Sequence, residues 1–329
     1  MRNMDFLAIG DVTTDAFIRI KDASVTCDLD RRNCKLSLNF ADKVPYESVT
    51  ELPGVGNSPN AAVCAARLGL SSAIVTNVGD DENGKACEKA LKQNGVKANY
   101  LTREKGRKTN YHYALWYEDE RTILVKHEEF NYSLPKIQTP SWAYVSSLGS
   151  NSFNYHLEII EFLKKNPEVK LVFQPGTFQM KLGREKLKDI YARSEIFICN
   201  VEEAQRILDM PNGEIKALLA KMHTLGPKIV SITDGPKGAY ASDGKAQWFM
   251  PIYPDPKPPL ERTGCGDSFA ATLTVAISLG KSLEEALLWA PINPMSVVQY
   301  VGAQEGLLSR KALEDLLARA PADYKPRKI

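Results

Sequence analysis

The sequence predicts an α/β protein with a mostly parallel central sheet, helices on both faces, and a small antiparallel β-sheet standing off the core. Three observations predict it. Strand-like apolar runs alternate with helix-like runs through most of the 329 residues, as βαβ units do. Two stretches, 16–46 and 109–126, break that alternation with short runs of period two. The length suits one large domain with a small appendage better than two full cores.

The elements follow in order. Residues 6–9 read as a short buried strand. Residues 60–70 are Ala-rich and read as a helix closed by Gly69. Residues 72–78 form a strand, and 84–94 a helix stopped by Gly95. Strands are expected at 142–148, 170–173, 195–199 and 228–233. Helices are expected at 156–165, 202–208, 214–225 and from 267 to 279. In the first irregular stretch "KLSLNF" puts Leu36, Leu38 and Phe40 on one face. In the second, "TNYHYALWY" and "RTILVKH" flank Glu118-Asp119-Glu120, a hairpin signature. A sheet made of both stretches has one face to bury, so it should cover a ligand or another copy of itself. The expected division is an α/β core of residues 1–15, 47–108 and 127–329, with 16–46 and 109–126 as a β-sheet lid.

Composition excludes several classes. Net charge is +2 and no basic block occurs, so no nucleic-acid partner is expected. No run of about 18 apolar residues exists to span a bilayer. The apolar run near the start is too short for a signal segment, and a cytoplasmic location is expected. Six cysteines form no C-x-x-C pair, and the four histidines are scattered, so no zinc site is expected. Cys27 and Cys34 flank a charged loop and are expected as free thiols.

The strongest chemical signal is "ERTGCGDSF", residues 261–269. Gly264 and Gly266 frame Cys265 just before an apolar helix. Glycines admit close approach of a ligand to the backbone. Amides at a helix N-terminus favour an anion there, including charge developing on a phosphoryl group. Asp267, expected at the first helical position, is either a helix cap or the base that takes a proton from an attacking hydroxyl.

At these residues the sequence resembles the PfkB, or ribokinase-like, carbohydrate kinase family, whose C-terminal signature reads D-T-T-G-A-G-D-x-F. Gly264, Gly266, Asp267 and Phe269 match it. "VGNSPNAAVCAARLGL" is similar to the N-terminal signature, and "VTNVGDDENGKACEKALKQNGV" to its continuation. The resemblance covers essentially the whole chain. It implies a three-layer ribokinase-like sandwich and ATP-dependent phosphorylation of an alcohol group on a small sugar. It also implies a role for each matching residue. Asp15, Gly56, Asn57 and Asn60 would face the substrate, where carboxylate and amide groups suit vicinal hydroxyls. The alternatives are a turn residue for Asp15 and a helix cap for Asn60. Asn200 and Glu203, in "NVEEA", would organise Mg²⁺ through water, or else form a plain helix start. Thr233, Gly235 and Gly238, in "TDGPKGAY", would line the nucleotide phosphates, as would Gln174 in "FQPGT". A monovalent cation such as K⁺ and a homodimer with facing lids are common among relatives.

The sequence departs from the family pattern at several points. Arg262 stands where relatives often have Thr. It would stabilise the transferring phosphoryl group or pair at the surface with Glu261. Pro291 falls where Asn is common near the adenine site, and Pro294 is expected to kink that helix. No Glu of the ribose-gripping sort lies near Gly149 and Ser150, which argues against ribose. A nucleoside kinase of the same superfamily is the alternative, with Tyr111, Tyr113, Trp116, Tyr117 and Phe17 available to stack on a base. Intact Asp267, Asn200 and Glu203 argue against a non-catalytic sugar sensor. The turn Gly10-Asp11-Val12 lacks G-x-G-x-x-G, which argues against a dehydrogenase.

Overall fold

The computed structural model describes residues 4–28, 34–118 and 120–329. The first strand β1 (Met4–Ile9) runs on into β2 (Thr13–Ile20), β3 (Ser24–Thr26), β4 (Lys35–Ser37) and β5 (Tyr46–Val55). The chain returns to the core with α1 (Asn57–Arg67), β6 (Ser72–Gly79), α2 (Glu82–Gln93) and β7 (Lys97–Glu104). It leaves again as β8 (Asn110–Tyr117) and β9 (Glu120–Leu124), then re-enters as β10 (Pro140–Val145). Next come α3 (Phe153–Lys165), β11 (Lys170–Phe173), α4 (Thr177–Leu182), α5 (Lys188–Arg193), β12 (Ser194–Asn200), α6 (Val201–Leu208), α7 (Ile215–His223) and β13 (Ile229–Thr233). The last elements are β14 (Ala239–Ser242), β15 (Gln247–Met250), α8 (Cys265–Ser278), α9 (Leu283–Trp289), α10 (Ile292–Val297), α11 (Arg310–Leu317) and β16 (Arg327–Lys328).

The large sheet has the order β16-β15-β14-β13-β12-β11-β10-β1-β6-β7. From β7 to β13 all pairs are parallel, and β14, β15 and β16 are antiparallel additions. Alternation along the strands feeds two cores. Phe6, Ala8 and Tyr144 pack with residues of α1 and α8 on one face. Leu7, Ile9, Ala143 and Val145 pack with residues of α3 and α7 on the other. Burial on both faces is why these strands read as continuous apolar runs. The parallel strands end together at Ile9, Val145, Phe173, Asn200 and Thr233, and ligands of open α/β sheets bind outside such carboxyl ends. Among the described residues no helix is long and apolar enough to cross a membrane.

The small sheet has the order β5-β2-β8-β9. It takes in β5, which the expected division left in the core. Its central pair β2–β8 is parallel, because both strands leave the same end of the core and run outward side by side. The outer pairs are antiparallel. The β8–β9 hairpin is formed as expected, and Asp119 of its turn lies outside the described residues. Strands β3 and β4 do not join this sheet. Among the described residues they pair only with each other, and Phe40 beyond them is fully exposed. Cys27 and Cys34 are not free thiols. The register that sets Thr26 opposite Lys35 makes them the next facing pair, and a disulfide joins them.

Pro294 does not kink a continuous helix. The break comes at Pro291, which caps α10, and Pro294 is the third residue of that helix. There its missing N–H had no partner to lose.

Candidate active site

The turn before α8 is held by two features. Gly264 is left-handed, with φ 79°, and a Cβ there would lie 2.3 Å from the Cβ of Ala303. Only glycine fits. Glu261 is 1% exposed. It accepts the Thr263 amide at 2.7 Å and the Gly302 amide at 2.7 Å, tying the turn to the loop beyond α10. Arg262 turns instead to the lid, with Nε 3.5 Å from Glu120 Oε1. The amides of Cys265, Gly266 and Asp267 have no acceptor within the helix. A Cβ on Gly266 would meet nothing within 4 Å, so the turn opens onto the cleft. Burial pushes the Cys265 thiol up to about 12, which leaves it a poor nucleophile.

Asp267 is the third residue of α8, not the first, and Gly264 holds the cap position. Its carboxylate accepts three side-chain amides: Asn57 Nδ2 at 2.8 Å, Asn60 Nδ2 at 2.8 Å and Gln174 Nε2 at 3.2 Å. Asn60 is therefore not a cap. It lies inside α1, whose N-cap is Gly56. Burial raises the Asp267 pKa, and the three amides together with the Arg121 charge offset part of that rise. Gln174 also accepts the Tyr144 hydroxyl. It stands beside Asp267.

The group of side chains around Asp15 was only partly visible in the sequence. Asp15 Oδ1 lies 3.2 Å from His112 Nδ1, and the two residues are register partners on β2 and β8. Asp11, 4% exposed, contacts His127 Nδ1 at 2.8 Å and accepts the Tyr132 hydroxyl at 2.9 Å. The two imidazoles lie 5.2 Å apart. Gly56 packs against the Asp11 carbonyl, which joins this group to the start of α1 and so to Asp267. Asp11, His112, His127 and Tyr132 were missed. The available signal was that two of four histidines fall in or next to the second irregular stretch.

Beside the turn at Cys265 and Gly266 lies a cleft of about 660 Å³, lined in part by Asn200, Thr233, Gly235, Gly238 and Arg262. Asn200 and Glu203 form a reciprocal capping box: Oδ1 of Asn200 accepts the Glu203 amide at 2.8 Å, and Glu203 accepts the Asn200 amide at 2.9 Å. The Glu203 pKa is raised by burial, with the Asp267 charge a further cause. Oxygen donors of this kind suit a hydrated divalent cation. Among the described residues no group of three or more His, Cys, Asp or Glu could grip a bare metal ion.

A family model for pfkB carbohydrate kinases matches residues 24–310. The chain belongs to that family. The kinase is 26% identical to the ribokinase of Bacillus subtilis over 300 residues, covering 87% of its own length and 97% of that protein. It superposes on Arabidopsis thaliana ribokinase complexed with ribose and ATP, with TM-score 0.79 and 21% identity, over 96% of its own chain and 99% of the other. Methanocaldococcus jannaschii nucleoside kinase superposes with TM-score 0.76 and 18% identity, over 97% of this kinase and 100% of that chain. The expected ribokinase-like sandwich is therefore the fold of this kinase.

Proposed function

We propose that the kinase moves the γ-phosphoryl of MgATP to a hydroxyl of a small sugar or sugar-like substrate, with Asp267 as base. One observation carries the reading. A carboxylate held by three amide donors stands in the first turn of a helix whose N-terminal amides open onto a cleft.

In this reading Asp15, Asn57 and Asn60 orient the sugar, joined by Asp11 and the two imidazoles, while Gly56 sets the entry to α1. Asp267 takes the hydroxyl proton as the oxygen bonds to the γ-phosphorus and the bond to the leaving ADP oxygen breaks. The amides of Gly264, Cys265 and Gly266 face the charge that gathers on the phosphoryl oxygens. Asn200 and Glu203 would hold Mg²⁺ through water, and the ion would neutralise phosphate charge. Thr233, Gly235, Gly238 and Arg262 line the nucleotide side; Gln174 serves Asp267. A monovalent cation near the turn remains an expectation from the resemblance. The small sheet acts as a lid that excludes water. Its outer face exposes Tyr46, Val49, Tyr113 and Leu124, an apolar patch suited to a second copy of the chain.

A nucleoside substrate finds less support. Tyr111 and Tyr113 pack against each other with tilted rings, centroids 5.1 Å apart, on the opposite face of β8 from His112.

The test is a screen of sugars and nucleosides for ADP release, followed by Asp267→Asn. We expect a sugar to be the substrate. We expect the variant to fold and to lose roughly 10²–10⁴-fold in turnover. The wild-type rate should fall on acidification at a pH above the ordinary aspartate value of about 3.9, because burial raises the Asp267 pKa. Near-normal turnover in the variant would remove Asp267 as base.

A further inference from the structure

We propose that Arg121, carried on lid strand β9, binds the transferring phosphoryl group, and that Glu120 is a carboxylate stand-in which that group displaces. The proposal rests on the kinase reading above and adds a residue to it. Arg19, Trp116 and Arg121 stand in one row across β2, β8 and β9, with the Arg19 guanidinium 4.2 Å from the Trp116 ring centroid. Two-residue alternation puts this row on the same face as Asp15 and His112. Arg121 lines the nucleotide cleft next to Cys265 and Gly266. Its charge is felt by both Cys265 and Asp267.

The polar bonding of Arg121 is incomplete. Its Nε is buried with no hydrogen-bond partner among the described residues. Its Nη1 lies 3.3 Å from Glu120 Oε2, a side chain 63% exposed. The other oxygen of the same carboxylate lies 3.5 Å from Arg262 Nε. One exposed carboxylate thus bridges two guanidiniums at the rim of the amide turn. Exposed pairs of this kind are weak. A phosphoryl group carries more charge and three acceptor oxygens, and it suits the planar guanidinium fork. An arginine on the lid reaches the group only when the lid lies over the site, so this charge is withheld while water has access.

Calorimetric titrations with MgADP and with the magnesium complex of AMPPNP test the proposal on wild type, Arg121→Ala, Arg121→Lys and Glu120→Gln. Arg121→Ala should leave MgADP affinity nearly unchanged and weaken AMPPNP by roughly tenfold to a hundredfold, the range of a lost charged hydrogen bond. Arg121→Lys should recover part of that loss, and Glu120→Gln should bind AMPPNP more tightly than wild type. Equal weakening toward both nucleotides would show that Arg121 acts through the fold, and unchanged AMPPNP affinity would show no contact; either overturns the proposal alone. A wild type that binds neither nucleotide overturns the kinase reading with it.

Discussion

At the scale of the residue, buried titratable groups report how the protein handles charge. His156 is 1% exposed. It contacts the Ser152 carbonyl through Nδ1 and Gln179 through Nε2. Burial lowers its pKa to about 4. The unfolded chain binds that proton near pH 6.5, so the folded form is favoured above this value. The benefit is lost as pH falls toward 4. Across that window the loss is about 3 kcal/mol. Urea unfolding at pH 7 and pH 5 should show a steeper fall for wild type than for His156→Gln, and parallel curves would remove His156 as the cause. Legibility differs sharply between residues here. Asp267 and its two glycines were readable because their chemistry is local in the sequence. Two of the three amides that hold Asp267 come from 210 and 207 positions away, and only the family resemblance singled them out. Asp11 and His127 are separated by 116 positions. A turn aspartate and an isolated histidine carry no local mark of such a meeting.

At the scale of the element, the two glycines of the anion turn separate structure from binding. Gly264→Ala must place a methyl against Ala303 and keep a left-handed backbone that costs roughly 1–2 kcal/mol for other residues. It should lower the melting temperature and the activity together. Gly266→Ala meets no protein atom within 4 Å, so it should melt like wild type yet bind MgADP more weakly, its methyl standing in the cleft. A Gly266→Ala protein with both properties intact would mean that nothing docks on that turn. Most of the helices and parallel strands were readable from apolar periodicity, usually to within a few residues, but β7, α4, α5 and α11 were not among those expected. The errors cluster where local pattern and tertiary pairing part company. The alternation in "KLSLNF" is real, but among the described residues β4 finds only β3 as a partner. The charged loop between Cys27 and Cys34 gave no sign of the hairpin register that joins them.

At the scale of the whole molecule, the outer lid face is the clearest unmatched surface. Tyr113 and Leu124 are register partners on β8 and β9 and are 48% and 52% exposed. If two lids meet there, Leu124→Asp should turn a dimer into a monomer in light scattering, because a buried unpaired carboxylate is costly. A wild type already monomeric at high concentration would exclude this interface. The overall architecture was legible because alternation of strands and helices is a property of the entire chain. The membership of β5 in the small sheet was not, since its outward half resembles an ordinary polar strand until β2 lies beside it.

The manner in which β1 runs on into β2 has a mechanical consequence. The chain crosses from the large sheet to the small one through the Gly10–Val12 turn and returns through the start of α1. Asp11 and Asn57 sit on those two crossings. A ligand held by these residues would bear on the joint itself, so its capture and a tilt of the flap would be one motion seen from two ends.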